Sequence, residues 1–571
     1  MLLRRLTLFA APLLLLQGCA TLPADTASSP APAAHGLVSA ADPRAAEAGA
    51  EMLRRGGSAT DAAIATMLAL TVVEPQSSGI GGGGFFLRGT FEGEVVTLDG
   101  RETAPAGADS EWFLDGEGRP LPFMQAVVSG LSVGVPGNIR LAEEVHRRYG
   151  KLPWATLFEP AIELARGGWT LSERARSFLV RSKNRAAHHP EGLALFYGAD
   201  GEALPVGTVL TNPALAATLE QIAVNGADWF YSGEHAAQIA ASVAAETPRP
   251  GALTEADVGA YRAKPRDEVC GDYRGYRICG MGPPSSGATT VYAILKQLER
   301  FDLGALGPRS ATFWHLFAES QRLAYADREL YLGDADFVSV PVAGLMDADY
   351  LAERGRLIAP DRSLTSVEAG SPRGAALALA DGAGPEESGT SHFVAIDREG
   401  NAVSYTSTIE GSFGSGIMVG GYFLNNELTD FSFVPEAAGR PVANRVEGGK
   451  RPRSSMAPTL VYAPDGTLFM AVGAAGGSTI PVQVARVLFG VIDFGLPLDE
   501  AVALPVLFSP GDALAVEEGT WLESLIPELQ ALGHAQVSAR GLPLKVNAAL
   551  RTPQGWTGAA DPRSDGTVVA E

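Results

Sequence analysis

The spacing of apolar positions changes period several times along the chain. After Asp42-Pro43, residues 44–55 carry apolar side chains three and four apart, and Gly56-Gly57 follows. Asp, Pro and a terminal glycine pair are the punctuation of a capped helix and its stop. Ser58 with Asp61 opens a second helical stretch to Val73, apolar on most sides and therefore predicted to be buried. Further helical stretches at 138–149 and 311–330 alternate with short strands and Pro/Gly turns. Between 366 and 389 Ser, Gly, Ala, Pro and Glu dominate and no apolar period survives, which predicts an exposed loop. The pattern then turns strand-like: 391–396, the turn Asp397-Arg-Glu-Gly400, and 402–407. This predicts a β-hairpin whose first strand starts at Thr390. Both strands are mostly apolar on both faces, as in a sheet covered on each side. No internal repeat interrupts this order.

The first nineteen residues stand apart. Arg4 and Arg5 precede an apolar stretch, 6–16, that suits a signal-peptide core and is too short to span a membrane. It ends in Leu16-Gln17-Gly18-Cys19, the pattern of a bacterial lipoprotein signal in which Cys19 is lipidated; cleavage as an ordinary secretory signal is the alternative. Residues 20–34, rich in Ala, Pro, Ser and Thr, would form a flexible tether. A composition of 46% hydrophobic residues allows a large core over 571 residues. The net charge of −21 sets nucleic-acid binding aside. Cys270 and Cys279 flank Arg274-Gly275. A two-residue turn there pairs Tyr273 with Tyr276 and places the cysteines opposite each other, with Cα atoms ~4.5 Å apart, compatible with a disulfide or with two buried thiols.

Three short motifs carry little. Gly79-Ile-Gly-Gly-Gly-Gly84 matches a dinucleotide fingerprint but runs from helix to strand, the reverse of the required order. Gly130-Leu-Ser-Val-Gly134 matches a nucleophile elbow around Ser132, yet Val133-Gly-Val-Pro136 continues extended where a helix should start. His188-His189 stands before a proline in a polar stretch with no metal-ligand spacing nearby, which predicts a surface turn.

Thr390 is the candidate for chemistry. A threonine freed at an N-terminus carries its own base, because its α-amino group has a pKa of ~7.7–8.0 and lies within reach of Oγ. Freeing it requires attack of Thr390 Oγ on the carbonyl of Gly389, a residue type that tolerates the strained backbone this demands. Gly-Thr before a strand is in itself no signal. The neighbouring motifs decide it.

Thr390-Ser-His-Phe, Asn401-Ala-Val, Thr408-Ile-Glu-Gly-Ser-Phe-Gly414 and Leu424-Asn-Asn-Glu-Leu-Thr-Asp-Phe431 together resemble the γ-glutamyltransferase (γ-glutamyltranspeptidase, glutathione hydrolase) family. Lys450-Arg-Pro-Arg-Ser-Ser-Met-Ala-Pro458, Gly473-Ala-Ala-Gly-Gly-Ser478, Asp561-Pro-Arg563, Asp99-Gly-Arg-Glu102 and Pro283-Pro-Ser-Ser-Gly287 extend the likeness from about His35 to the C-terminus. The resemblance implies an α+β chain of the N-terminal-nucleophile hydrolase type, a four-layer αββα sandwich. It also implies a precursor cut into a large subunit, 35–389, and a small one, 390–571, which remain together.

Carried over position by position, the resemblance makes Gly389-Thr390 the self-cleavage site and Thr390 the nucleophile, supported by the Thr408 hydroxyl. Gly476 and Gly477 become the backbone donors of the oxyanion hole. Arg101, Ser454 and Ser455 become binders of the substrate α-carboxylate, and Glu427 and Asp430 holders of its α-ammonium. An Arg fork with hydroxyls suits a carboxylate. The implied substrate is a γ-glutamyl amide such as glutathione, with no metal or organic cofactor, on an exported periplasmic protein tied to the outer membrane by lipid alone. Two departures bear on specificity. Glu410 stands where many members have asparagine, which adds a carboxylate to the ammonium side. The stretch from Asp430 to Lys450 is short and lacks tyrosine, where some relatives carry an aromatic lid. That predicts an open site, more hydrolysis, and room for a glutaryl/cephalosporin acylase activity. A lipoprotein with this fold that does not self-process, and a hydrolase built on Ser132, are the remaining alternatives.

Overall fold

The computed structural model describes residues 35–249, 251–375, 379–380 and 389–571. The leader, the tether and Cys19 lie outside these residues, as do residues 376–378 and 381–388 of the loop before Gly389. Helix Pro43–Arg54 is capped by Asp42, whose carboxylate accepts from the Arg44 amide. Ala59–Val73 follows, closed by a reciprocal cap between Ser58 and Asp61 and buried along its whole length, as its lack of a polar face requires. Helices Asn138–Tyr149 and Ala311–Tyr331 stand where the periodicity places them. Among the described residues no helix is long and apolar enough to cross a membrane.

Two antiparallel sheets organise the chain. The first has seven strands in the order Thr567–Ala570, Leu37–Ala40, Gly389–Ile396, Ala402–Glu410, Gly83–Gly89, Val95–Gly100 and Lys264–Arg266. The second has six, in the order Gly555–Ala560, Lys545–Thr552, Leu468–Ala475, Thr459–Tyr462, Tyr276–Met281 and Glu268–Tyr273. Leu37, Leu87, Val394 and Ile396 of the first sheet meet Leu460, Leu468, Ala471 and Ala549 of the second in one apolar cluster. The first sheet also packs Phe86, Phe393, Val403 and Tyr405 with helices Pro43–Arg54 and Ala59–Val73. The second packs Val461, Met470 and Val472 with helices Gly287–Leu298, Ala311–Tyr331 and Ile480–Leu488. Residues that are apolar on both strand faces are thus covered on both sides.

The predicted hairpin is present, with one correction. Its first strand begins at Gly389 rather than Thr390, because Gly389 pairs with Glu410 across a bulge that lies between Thr408 and Glu410. Every residue of both hairpin strands is buried. At Arg274-Gly275 both residues have positive φ, as the two-residue turn requires. The cysteines opposite each other, Cys270 and Cys279, are joined in a disulfide with Cα atoms 4.1 Å apart.

Candidate active site

The bulge sets the site. Thr390 and Thr408 are register partners on adjacent central strands, and their hydroxyl oxygens lie 3.1 Å apart. Thr408 Oγ1 donates to the Gly389 carbonyl at 3.0 Å and accepts from the Glu410 amide at 2.8 Å. With its single proton on the Gly389 oxygen, Thr408 accepts the proton of Thr390. The nucleophile and the carbonyl it would attack are therefore ordered by one hydroxyl. Gly389 has no room for a side chain: a Cβ would lie 2.6 Å from the backbone oxygens of Glu410 and Gly411.

The Gly476-Gly477 loop, the candidate oxyanion hole, reaches Thr390 from the other sheet. Strand Leu468–Ala475 ends at Gly476-Gly477, which turn into helix Ile480–Leu488. Their φ values of 138° and 59° favour glycine, and a Cβ at Gly476 would lie 2.2 Å from the Pro543 carbonyl.

Arg101, Thr390, Thr408, Glu410, Glu427, Asp430, Ser454, Ser455 and Gly477 line one space at the candidate nucleophile. Every candidate substrate residue is in that set. Gly476 lines a second cleft, which also touches Thr390. The first space measures only about 10 Å³, roughly one water. It is narrower than the open site that the short lidless stretch predicts, and Arg101 folds onto its own acids beside it. Its guanidinium pairs with Glu427 and Asp430 and donates to the carbonyls of Pro452 and Arg453 at 3.2 and 3.0 Å. No residue of 431–449 lines the space; Phe433 stacks instead on Phe113, with ring centres 4.2 Å apart. Ser455 Oγ accepts from Arg328 at 2.5 Å, and Ser454 Oγ from the Met456 amide at 3.2 Å.

The electrostatics are lopsided. Glu102, Glu410, Glu427 and Asp430 act on the single cation Arg101. Burial opposes the charge on Arg101, but these acids outweigh it and hold the guanidinium charged. Burial pushes the Glu102 carboxyl up to about 7 against the pull of Arg101, and raises Glu427 well above the ordinary range, with Glu102 and Asp430 adding to that. Both Glu102 carboxylate oxygens lack a hydrogen-bond partner among the described residues. Sequence reasoning gave Glu102 no role, although it stands inside the Asp99-Gly-Arg-Glu102 motif.

The weaker motifs resolve structurally. Ser132 is buried, its hydroxyl donating to the Val127 and Ser129 carbonyls at 2.8 and 2.9 Å. His189 accepts from the Glu191 amide at the start of helix Pro190–Phe196. Gly79–Gly84 leads into strand Gly83–Gly89, helix before strand.

Comparison with known proteins agrees with this geometry. Residues 45–571 match the family model described as gamma-glutamyltranspeptidase. The glutathione hydrolase proenzyme of Escherichia coli (strain K12) is 37% identical over 552 residues, covering 95% of this chain and 92% of that protein. That of Bacillus subtilis (strain 168) is 37% identical over 514 residues, covering 87% and 85%. The Acylase ACY 1 proenzyme of Pseudomonas sp. (strain SE83) is 35% identical over 549 residues, covering 95% and 94%. Among solved structures, a cephalosporin acylase from Bacillus halodurans superposes with a TM-score of 0.82 at 27% identity, covering 98% of this chain and 99% of that one. The Helicobacter pylori gamma-glutamyltranspeptidase gives 0.54 at 39%, covering 57% and 91%. A mixed α/β chain whose motifs converge on one threonine, matched over nearly its whole length, belongs to the γ-glutamyltranspeptidase family.

Proposed function

We propose that the chain is a self-processing γ-glutamyltransferase and glutathione hydrolase with Thr390 as its nucleophile. Thr390 Oγ attacks the Gly389 carbonyl carbon; the peptide C–N bond breaks, and the proton lost by the hydroxyl ends on the threonine nitrogen, which becomes a free amine. Water hydrolyses the resulting ester, leaving Gly389 with a carboxylate and Thr390 as the N-terminus of the small subunit. Thr390 Oγ then attacks the γ-carbonyl of the donor while its own amine takes the hydroxyl proton. The amides of Gly476 and Gly477 face the oxyanion. The amine product leaves with that proton, and the γ-glutamyl ester passes to water or to an acceptor amine. No cofactor enters these steps.

The observation that carries the substrate class is the lining of this space, where three carboxyl groups, Glu410, Glu427 and Asp430, stand beside one arginine, Arg101, and suit a head group with both an ammonium and a carboxylate. A γ-glutamyl head supplies an ammonium to Glu410, Glu427 and Asp430 and a carboxylate to Arg101, Ser454 and Ser455. A glutaryl group has the carboxylate and no ammonium, so the same acids disfavour it. The acylase reading keeps support from the likeness to the Bacillus halodurans cephalosporin acylase and to the Pseudomonas acylase. The three apolar clusters support reading the fold as the four-layer sandwich of N-terminal-nucleophile hydrolases. Large and small subunits, 35–389 and 390–571, would stay joined through the ladder between strands Leu37–Ala40 and Gly389–Ile396. Lipidation at Cys19 and a periplasmic, outer-membrane location rest on the leader pattern alone.

The test combines a denaturing gel, N-terminal sequencing and a substrate pair. Two bands, a small subunit starting Thr-Ser-His-Phe, and faster turnover of γ-glutamyl-p-nitroanilide than of glutaryl-7-aminocephalosporanic acid support the proposal. A single uncut and inactive band defeats it.

A further inference from the structure

The cleft of about 210 Å³ on the Gly476 side of Thr390 is separate from the enclosed space on the Arg101 side, and the two share only Thr390 among their lining residues. A bond broken at Thr390 leaves its acyl half in one space and its amine half in the other. Resting on the acyl-transfer reading above, we infer that this cleft is a subsite for the carboxylate of the leaving amine or acceptor, a small peptide with a free C-terminus, held by Arg174 and Arg181.

Helix Glu173–Arg181 presents Arg174, Phe178 and Arg181 on one face, four and three residues apart. Both guanidinium groups lie over the Phe178 ring, 5.4 and 4.5 Å from its centre, which fixes their direction. Two other cations line the cleft, and both are neutralised. Lys545 pairs with Glu74 at 2.9 Å, and Arg563 with Glu517 and Asp561 at 2.5 and 3.0 Å. Arg174 donates to the Arg563 carbonyl at 2.9 Å and leaves its buried Nε without a partner. Among the described residues no carboxylate pairs with Arg174 or Arg181. In a chain of net charge −21, two arginines without acids beside the nucleophile mark a place for an anion. The field reaches inward: burial lowers the Lys545 ammonium, and Arg174 lowers it further. Arg101, the proposed binder of the α-carboxylate, lies in the other space, so this cation pair is available to the amine half of the substrate.

The experiment uses the processed protein. Calorimetry with glycylglycine and with glycylglycinamide measures the subsite without turnover. The acid should bind about tenfold more tightly, the size of a charge-assisted hydrogen bond. Arg181→Glu, at an exposed position, and Arg174→Gln should each shrink that ratio towards one. In parallel, kcat/KM for glutathione should exceed that for its C-terminal amide, with the difference in KM, and the same variants should narrow it. Equal binding of acid and amide to the wild type, or a ratio unchanged in both variants, overturns the subsite. A wild type that binds the acid selectively yet turns over no γ-glutamyl compound defeats the donor reading and leaves the subsite standing.

Discussion

Thr408 Oγ1 lies 3.1 Å from Thr390 Oγ1 and 3.0 Å from the Gly389 carbonyl oxygen, so one side chain orders both atoms of the bond that self-cleavage would make. Its donated hydrogen bond draws charge from the carbonyl, and its lone pair accepts a hydrogen bond that orients the Thr390 hydroxyl. Thr408→Val keeps the volume and removes both contacts. Self-cleavage should slow by about 10²-fold, the loss typical of a donor to a developing oxyanion. Thr408→Ser, which restores the hydroxyl, should recover most of the rate. The appearance of the two bands with time on a denaturing gel reads both. Equal rates for Val and wild type would remove Thr408 from the reaction.

The residue before the nucleophile makes an independent point. Gly389→Ala places a methyl group 2.6 Å from the backbone oxygens of Glu410 and Gly411, closer than atoms tolerate. The strand must withdraw at the bulge, and the carbonyl moves away from Thr390. The expected outcome is slow or absent processing with the fold retained, seen as a persistent single band with an unchanged far-ultraviolet circular dichroism spectrum. Processing at the wild-type rate would show that the close approach has no part in cleavage.

Local order was legible because local rules fix it. Asp42-Pro43, Ser58 with Asp61, and Arg274-Gly275 each act within a few residues, and the caps, the turn and the Cys270–Cys279 pairing stand where they predict. The substrate residues were legible only as motifs. Their closure against one another was not, because Arg101 and Glu427 are 326 positions apart and no periodicity connects them. The narrowness of the pocket is hidden for the same reason: a missing lid is visible in sequence, whereas an arginine folded onto its own acids is not. Glu102 and the Arg174–Phe178–Arg181 face likewise acquire meaning only from what packs opposite them.

Arg101 pairs with both Glu427 and Asp430, which makes its loss costly in two ways. Arg101→Met leaves Glu427 and Asp430 buried without it, and breaking such a pair costs about 3–5 kcal/mol. Adding Glu427→Gln removes one of the orphaned carboxyl groups. The double variant should regain part of the lost melting temperature but none of the affinity for a γ-glutamyl donor. Thermal melts followed by donor KM measurements separate the two effects. Recovery of both together would mean that Arg101 only stabilises the fold.

Glu102 gives the pH dependence. Burial, opposed by Arg101, raises its carboxyl from an ordinary 4.5 to about 7. Between those values the folded chain keeps a proton that the unfolded chain has released, so the folded state binds more protons and stability falls as pH rises. The contribution is present in full below about pH 4.5 and is lost as pH passes through 7. Glu102→Gln keeps the shape and the neutral charge at every pH. Its stability should match wild type near pH 4.5 and exceed it at pH 8 by an amount on the order of 2 kcal/mol. Taking the difference between variant and wild-type melts at each pH cancels the other titrating groups. A difference that is flat from pH 4.5 to 8 would show that Glu102 is ionised throughout, with Arg101 and not burial setting its charge.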